Sequence, residues 1–219
     1  MVKLESMSVQ VYIQPVTHFQ QNCSILQCEE TGHITIIDPG GDIDIVLEKS
    51  SQLKGEVKFI LLTHGHSDHA GQARDLASHL DIKLLGPHYE DQFWLSKMEE
   101  QSQMFGFDAT SSFKPDRYIE DQEEIKLGNS CLKAIHCPGH TPGHLVFYLE
   151  KEKILISGDV LFKGSIGRTD FPKSNHQDLV DSIRNKIFPL DDETVVYPGH
   201  GPTTKIGFER LNNPYVGGI

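Results

Sequence analysis

Near the start of the chain apolar and polar residues alternate, with Val9, Val11 and Ile13 falling on one face. The apolar character returns around Ile25 and again from Ile34 to Ile37, before Asp38-Pro39-Gly40-Gly41. A period of two that stops at a Pro-Gly-Gly turn predicts an antiparallel series of strands. From Asp42 the period lengthens. Ile43, Val46 and Leu47 recur at helical spacing and Leu53 closes the stretch before Gly55, the pattern of an amphipathic helix. Phe59 to Leu62 is continuously apolar, as expected of a strand buried on both faces. Ala73, Leu76, Ala77 and Leu80 form another helical stripe, Lys83 to Leu85 a strand, and Tyr89 to Phe105 is expected to be helical for much of its length.

The second half repeats this plan. Strands are predicted near Leu132 to His136, Leu145 to Leu149 and Ile154 to Ser157, then a helix carrying Leu179, Val180, Ile183 and Ile187, and a last strand from Thr194 to Tyr197. Residues 106–117, with Gly106, Pro115 and few apolar positions, read as the connection between the halves. Strands followed by helices, twice over, imply an α/β (α+β) fold of two sheets packed face to face with helices outside. No separate linker interrupts the pattern, so residues 1–219 are taken as one domain.

Composition changes this picture little. A hydrophobic fraction of 37%, with 23% charged residues and no repetitive tract, belongs to an ordered chain able to bury a core without staples. With 31 acids against 20 bases the formal net charge is -11, which argues against nucleic acid or an anionic membrane as main partner. No apolar run approaches the roughly 20 residues of a spanning helix, and MVKLESMSVQ carries no apolar signal core, so a cytoplasmic protein is expected. Cys23, Cys28, Cys131 and Cys137 lack CxxC spacing and read as idle thiols. The 12 histidines carry more information, because several share short segments with Asp and Gly.

Directly after the buried strand comes Thr63-His64-Gly65-His66-Ser67-Asp68-His69-Ala70-Gly71. Residues two apart point to opposite sides of a helix, so joint ligation by His64, His66 and Asp68 calls for extended or loop backbone. His69 then falls out of phase, placed for a second metal nearby. A surface loop would not by chance concentrate these ligand types at the mouth of a strand, where sites are commonly built. Further on, His136-Cys137-Pro138-Gly139-His140-Thr141-Pro142-Gly143-His144 joins two strands through two Pro-Gly pairs, a turn able to aim His140 inward. His144 is read as a core or supporting histidine rather than a ligand, and His136 stays open between the same two readings. Asp159 follows Ser157-Gly158 at a strand end, and His200 lies in Tyr197-Pro198-Gly199-His200-Gly201-Pro202, a second strand, Pro-Gly turn and histidine.

The motif order THxHxDH, PGH, GD, PGH across residues 63–200 resembles the metallo-β-lactamase superfamily. The resemblance implies a four-layer αββα fold with the site at one edge of the sandwich. It further implies that His64, His66 and His140 bind one metal, Asp68, His69 and His200 a second, and that Asp159 bridges ions about 3.5 to 4 Å apart. The implied cofactors are two divalent metal ions, Zn2+ first, with Fe or Mn also suited to imidazole and carboxylate donors. Asp38 matches an aspartate of the family that supports the ligand loop.

Within the superfamily the chain is most similar to the glyoxalase II branch, in a compact bacterial form. Gln21-Asn22-Cys23, Asp38 to Gly41, Thr63 to His69, Cys137 to His144, Gly158 to Phe162, Gly167-Arg168-Thr169-Asp170-Phe171 and Pro198 to Pro202 carry the likeness. True metallo-β-lactamases usually have cysteine at the bridging position and no ligand at the His69 position. Longer glyoxalases II carry a helical C-terminal domain with glutathione contacts, whereas 19 residues follow His200 here.

The implied reaction is hydrolysis of S-D-lactoylglutathione or a related S-acylglutathione, with two cations lowering the pKa of a shared water and polarising the thioester carbonyl. Asp68 would orient the hydroxide as well as bind metal, so it is the catalytic candidate. Arg168 is the substrate-binding candidate, against the alternative of a structural ion pair with Asp170. The partner is then a small-molecule thioester, with no nucleic acid and no membrane, and the chain is expected to be a monomer. The Gly-Arg-Thr-Asp-Phe segment also resembles persulfide dioxygenases of the same fold, for which His64, His140 and Asp159 would supply a mononuclear iron triad. A nuclease of the same fold and an inert metal-binding module are further alternatives, opposed by the acidic charge and by the complete ligand set.

Overall fold

The computed structural model describes residues 9–218, so the N-terminal residues read above for a signal segment lie almost wholly outside it. The first sheet has five strands in chain order, β1 (Val9–Val16), β2 (Gln21–Cys28), β3 (His33–Ile37), β4 (Glu56–Leu61) and β5 (Lys83–Leu85). β1, β2 and β3 pair antiparallel, while β3, β4 and β5 run parallel. The second sheet is built from β6 (Glu124–Leu127), β7 (Ser130–His136), β8 (Leu145–Leu149) and β9 (Ile154–Gly158), followed after a small ribbon, β10 (Leu161–Phe162) and β11 (Ser165–Ile166), by β12 (Val195–Pro198) and β13 (Thr204–Lys205). Its strand order is β13-β12-β9-β8-β7-β6, with β9 and β12 parallel and the other pairs antiparallel. Both sheets are mixed.

Side-chain alternation along these strands assigns the layers. Leu26, Ile37 and Leu61 of the first sheet meet Ala134, Phe147 and Ile156 of the second in the central core. Their neighbours Ile25, Ile36 and Ile60 face the other way, onto α1 (Ile43–Ser51) and α3 (Ala73–Leu80) through Val46, Leu76 and Ala77. On the far side Ile135, Val146 and Leu155 pack against Leu179 and Ile183. The result is the αββα sandwich. Among the described residues no helix is long and apolar enough to cross a membrane.

Two helical expectations hold, with refinements in detail. Between Tyr89 and Phe105 the chain forms a 3₁₀ turn (Tyr89–Asp91) and two short helices, α4 (Gln92–Leu95) and α5 (Met98–Phe105), which a turn at Ser96 and Lys97 separates, and Asp91 at the start of α4 points inward to meet three polar hydrogens. The stripe from Leu179 to Ile187 belongs to α6 (His176–Ser182), which continues as a π-helical turn, Ile183–Ile187. Between α1 and α3 lies the single turn α2 (Ser67–Ala70), and α7 (Ile206–Asn212) closes the described chain.

Candidate metal centre

The histidine segment leaves the end of β4, a parallel strand whose neighbour β3 is followed directly by Asp38. Asp38 adopts a positive φ of 56° that swings its carboxylate under the segment. There Oδ1 accepts the Thr63 N–H at 2.7 Å, and Oδ2 accepts the Thr63 hydroxyl at 2.5 Å and the His69 ring Nδ1–H at 2.9 Å. His64 donates Nδ1–H to Thr63 Oγ1 at 3.0 Å. His140 donates Nδ1–H to the Arg168 carbonyl at 2.8 Å, and His200 to the Phe19 carbonyl at 3.3 Å. Each of these four rings therefore turns its Nε2 to the interior, the orientation a metal ligand needs.

The backbone changes period inside the motif. His66 is extended, with φ -72° and ψ 148°, but α2 begins at Ser67, so Asp68 and His69 lie on one helical turn rather than on a continuing extended segment. The expectation that His64, His66 and Asp68 face one way fails at Asp68, since His66 O accepts the Ala70 N–H and closes the turn. The consequence is a division into two groups. His64 Nε2 and His140 Nε2 lie 3.1 and 3.0 Å from His66 Nδ1. Asp68 Oδ2 lies 3.2 Å from His200 Nε2 and 3.8 Å from His69 Nε2.

Asp159 stands between them. Its Oδ1 is 3.3 Å from His69 Nε2, while Oδ2 is 3.6 Å from His140 Nε2 and 3.8 Å from His200 Nε2. A Cβ on Gly199 would run into both the Asp159 carboxylate and the His69 ring, which explains the glycine before His200. Gly139, at φ 139°, lies so close to Leu179 that no side chain fits there either. Asn22 fastens the second turn to the first sheet, donating its side-chain N–H to the carbonyls of Pro198 and Gly201 at 3.0 and 2.8 Å.

The electrostatics follow the same division. Burial, reinforced by neighbouring imidazoles, holds His64 well below the usual histidine range and pushes His66 down to about 3. Burial also lowers His140 against the pull of Asp159. For His69 and His200 burial is outweighed by Asp159 and Asp68, and both are raised. Those imidazoles in turn overcome the burial of Asp159 and hold its carboxylate far below the ordinary range. One group thus offers three neutral nitrogens and the other a carboxylate-rich set. His69 Nε2 and Asp159 Oδ1, 3.3 Å apart, are buried with no well-formed hydrogen bond, atoms that a bound cation would satisfy.

His144 stays out of this cluster: its Nε2 accepts the Asp159 N–H at 3.0 Å and its ring stacks on His64. His136 lies further off, donating Nε2–H to the Pro142 carbonyl at 2.7 Å and stacking on His88. Arg168 lines the cleft above the cluster, yet its fork is engaged by Asp170 at 2.9 and 2.7 Å and its guanidinium stacks on Phe171. The thiol of Cys137 is buried and pushed up to about 12 by burial, an inert core group.

Asp91 and Gln101 escaped the sequence reading. Asp91 Oδ2 accepts the Gly65 N–H and the Thr141 hydroxyl, both at 2.8 Å, and Oδ1 accepts the Gly143 N–H at 2.6 Å. It ties the His64–His66 loop to the His140 turn. Gln101 accepts the Ser67 N–H at 3.1 Å and donates to the Gly65 carbonyl at 3.3 Å. Their partners are mainly backbone groups far off in sequence, so no motif announces them.

A two-sheet sandwich with a histidine–aspartate cluster at the strand ends defines a metallo-hydrolase centre. The profile of the Metallo-beta-lactamase superfamily matches residues 16–200, and the chain belongs to that superfamily. It is 42% identical over 207 residues to the hydroxyacylglutathione hydrolase GloC of Haemophilus influenzae, covering 94% of this chain and 97% of that protein. The crystal structure of BLEG-1 B3 metallo-beta-lactamase superposes with a TM-score of 0.87 at 34% identity, covering 94% of this chain and 99% of that one. The crystal structure of TTHA1623 in a di-iron-bound form gives 0.85 at 31%, covering 94% and 100%. The clustered His and Asp side chains suit a dinuclear metal site.

Proposed function

We propose that this chain is a metal-dependent thioester hydrolase of the glyoxalase II type, cleaving S-D-lactoylglutathione or a related S-acylglutathione to the hydroxy acid and glutathione. The observation that carries the reading is the Asp159 carboxylate, with one oxygen toward His69 and the other toward His140 and His200. The likeness to a hydroxyacylglutathione hydrolase over nearly the whole chain supports the same activity.

His64, His66 and His140 would hold one divalent ion and Asp68, His69 and His200 the other, with Asp159 between the two groups. Two such ions supply a nucleophile from water at neutral pH and a Lewis acid for the thioester carbonyl, and two carboxylates offset only half of their charge. Zinc is the metal proposed, since the donors are imidazole and carboxylate without thiolate, a set iron and manganese also accept. Asp68 lines the cleft and orients the attacking water there. Arg168, at the rim, meets a substrate carboxylate with the edge of its fork that Asp170 leaves free. The enzyme works as a cytoplasmic monomer, without nucleic acid or membrane as partner.

The test combines metal analysis of purified protein with assays on S-D-lactoylglutathione, glutathione persulfide and a chromogenic β-lactam. Two metals per chain, with thiol release and no oxygen uptake, are expected. Full activity with one equivalent of iron, and oxygen uptake on the persulfide without thioester cleavage, would replace this reading by the dioxygenase. β-Lactam turnover exceeding thioester turnover would replace it by antibiotic hydrolysis.

A further inference from the structure

Above the histidine–aspartate cluster opens a cleft of about 930 Å³. Its floor is polar, with His66, Asp68, His140, Asp159 and His200, but its walls are not. Phe93 and Trp94 of α4, Met104 and Phe105 of α5, Phe19 from the β1–β2 turn and Phe171 surround it. The aromatic wall begins at the ligands themselves: the Trp94 ring centre is 4.5 Å from that of His66, and Phe171 lies 5.0 Å from His66 and 5.9 Å from His140. At the mouth, Met104 is 76% and Phe19 42% exposed, apolar surface that a bound ligand would cover.

The charges at this cleft point the same way. The two cations that line it are already paired, Lys97 with Glu100 at 2.9 Å and Arg168 with Asp170 at 2.7 Å, and Glu100 itself faces the cleft. Of glutathione's two carboxylates, one can reach the edge of the Arg168 fork that Asp170 leaves free at the rim, and the rest of the tripeptide is best left in solvent there. The acyl half is then the part that meets the aromatic walls. A lactoyl group is small and polar, and fills little of this space.

On the reading that the chain cleaves thioesters, we infer that its preferred substrates carry an apolar acyl group of medium length or an aromatic acyl group, bound against the wall formed by Phe93, Trp94, Met104, Phe19 and Phe171. Phe93 and Met104 set this preference. Each methylene moved from water to the wall adds up to about fourfold in affinity, so partial burial of a six-carbon chain should yield at least about tenfold over a one-carbon group.

Trp94 is the single tryptophan of the chain, which makes its fluorescence a reporter independent of turnover. S-methylglutathione and S-hexylglutathione are thioethers that place an alkyl group where the acyl group sits and are not hydrolysed. The metal-loaded protein should bind the hexyl probe about tenfold more tightly than the methyl probe, with a change in Trp94 emission, and kcat/KM for S-hexanoylglutathione should exceed that for S-D-lactoylglutathione by about tenfold. Phe93→Ala and Met104→Ala remove accessible side chains and should each shrink the hexyl-to-methyl ratio about threefold. Equal affinity for both probes, with thioesters still cleaved, overturns this inference and leaves the hydrolase reading intact. A graded affinity without cleavage of any thioester supports the apolar cleft and removes the hydrolase. Grading unaffected by either substitution places the alkyl group elsewhere and overturns the inference.

Discussion

Replacing Asp91 by Asn should make the metal-free protein more stable at neutral pH while weakening its hold on metal. Asp91 is fully buried, and burial lifts its pKa to about 6 even though three hydrogen bonds favour the carboxylate. Its folded pKa therefore stands above its unfolded one. The stability this carboxyl contributes is complete below about pH 4 and is lost as pH rises through about 6. A shift of about two units corresponds to about 3 kcal/mol by pH 8.

An amide of the same shape mimics the protonated acid, so Asp91→Asn escapes that loss. Its NH₂ faces one of the donors Gly65 N–H or Gly143 N–H, which costs about 1 kcal/mol of hydrogen bonding. The net expectation is a gain of about 2 kcal/mol at pH 8 and a loss of about 1 kcal/mol at pH 4. Urea unfolding of metal-free wild type and variant across that range checks it. The cluster histidines titrate in both proteins, so the difference between them reports Asp91. The orphaned N–H lies beside His64 and His66 or beside His140, and metal affinity, measured against a competing chelator, should fall about tenfold. A stability difference that does not change with pH would refute the assignment of a titrating carboxyl, and an unchanged metal affinity would refute its positioning role.

Asp159→Ala should lower turnover by more than about 100-fold and release both ions, a larger effect than His69→Ala or His200→Ala, because those rings each serve one group. Elemental analysis beside a thiol-release assay decides it, and a variant that keeps two metals and near-normal turnover would disprove the bridge. Arg168→Ala should raise KM for a glutathione thioester about threefold, less than an unshared fork would give, and leave a small neutral thioester unaffected. No change on either substrate, or equal loss on both, would leave Arg168 to its pairing with Asp170, an exposed bridge that adds little to stability.

The strands were legible because adjacent residues serve different layers. Ile36 and Ile37, or Ile60 and Leu61, point to opposite sides of one sheet and are both buried, so a continuous apolar run reads correctly as a strand covered on two faces. The stretch from Tyr89 to Phe105 is helical for much of its length as expected, but its breaks were hidden because its apolar residues serve two surfaces: Leu95 and Met98 fill the core, while Phe93 and Phe105 line the cleft. Neither Gly nor Pro marks its breaks. Nothing local distinguishes Asp91 from an ordinary surface acid of a helix, since its importance arises from Gly65, Thr141 and Gly143 meeting it across the fold.

The structure brings the members of the motif together, but in a phase other than the extended one expected, and the difference explains the two groups. Had the backbone stayed extended through Asp68, its side chain would have joined His64 and His66 on one side, and His69 alone would have faced the other. Starting α2 at Ser67 instead rotates Asp68 and His69 by about 100° per residue, so two consecutive side chains both reach the second group, at Asp159 and His200. The change of period needs an anchor on each flank. Gln101 takes the Ser67 N–H at the start of the turn, and Asp38 holds both Thr63 before the motif and the ring of His69 at its end. The histidine spacing thus yields an arrangement suited to two adjacent ions only together with Asp38, which holds the outer nitrogen of His69, and with Gln101, the two keeping the switch from strand to helix in place.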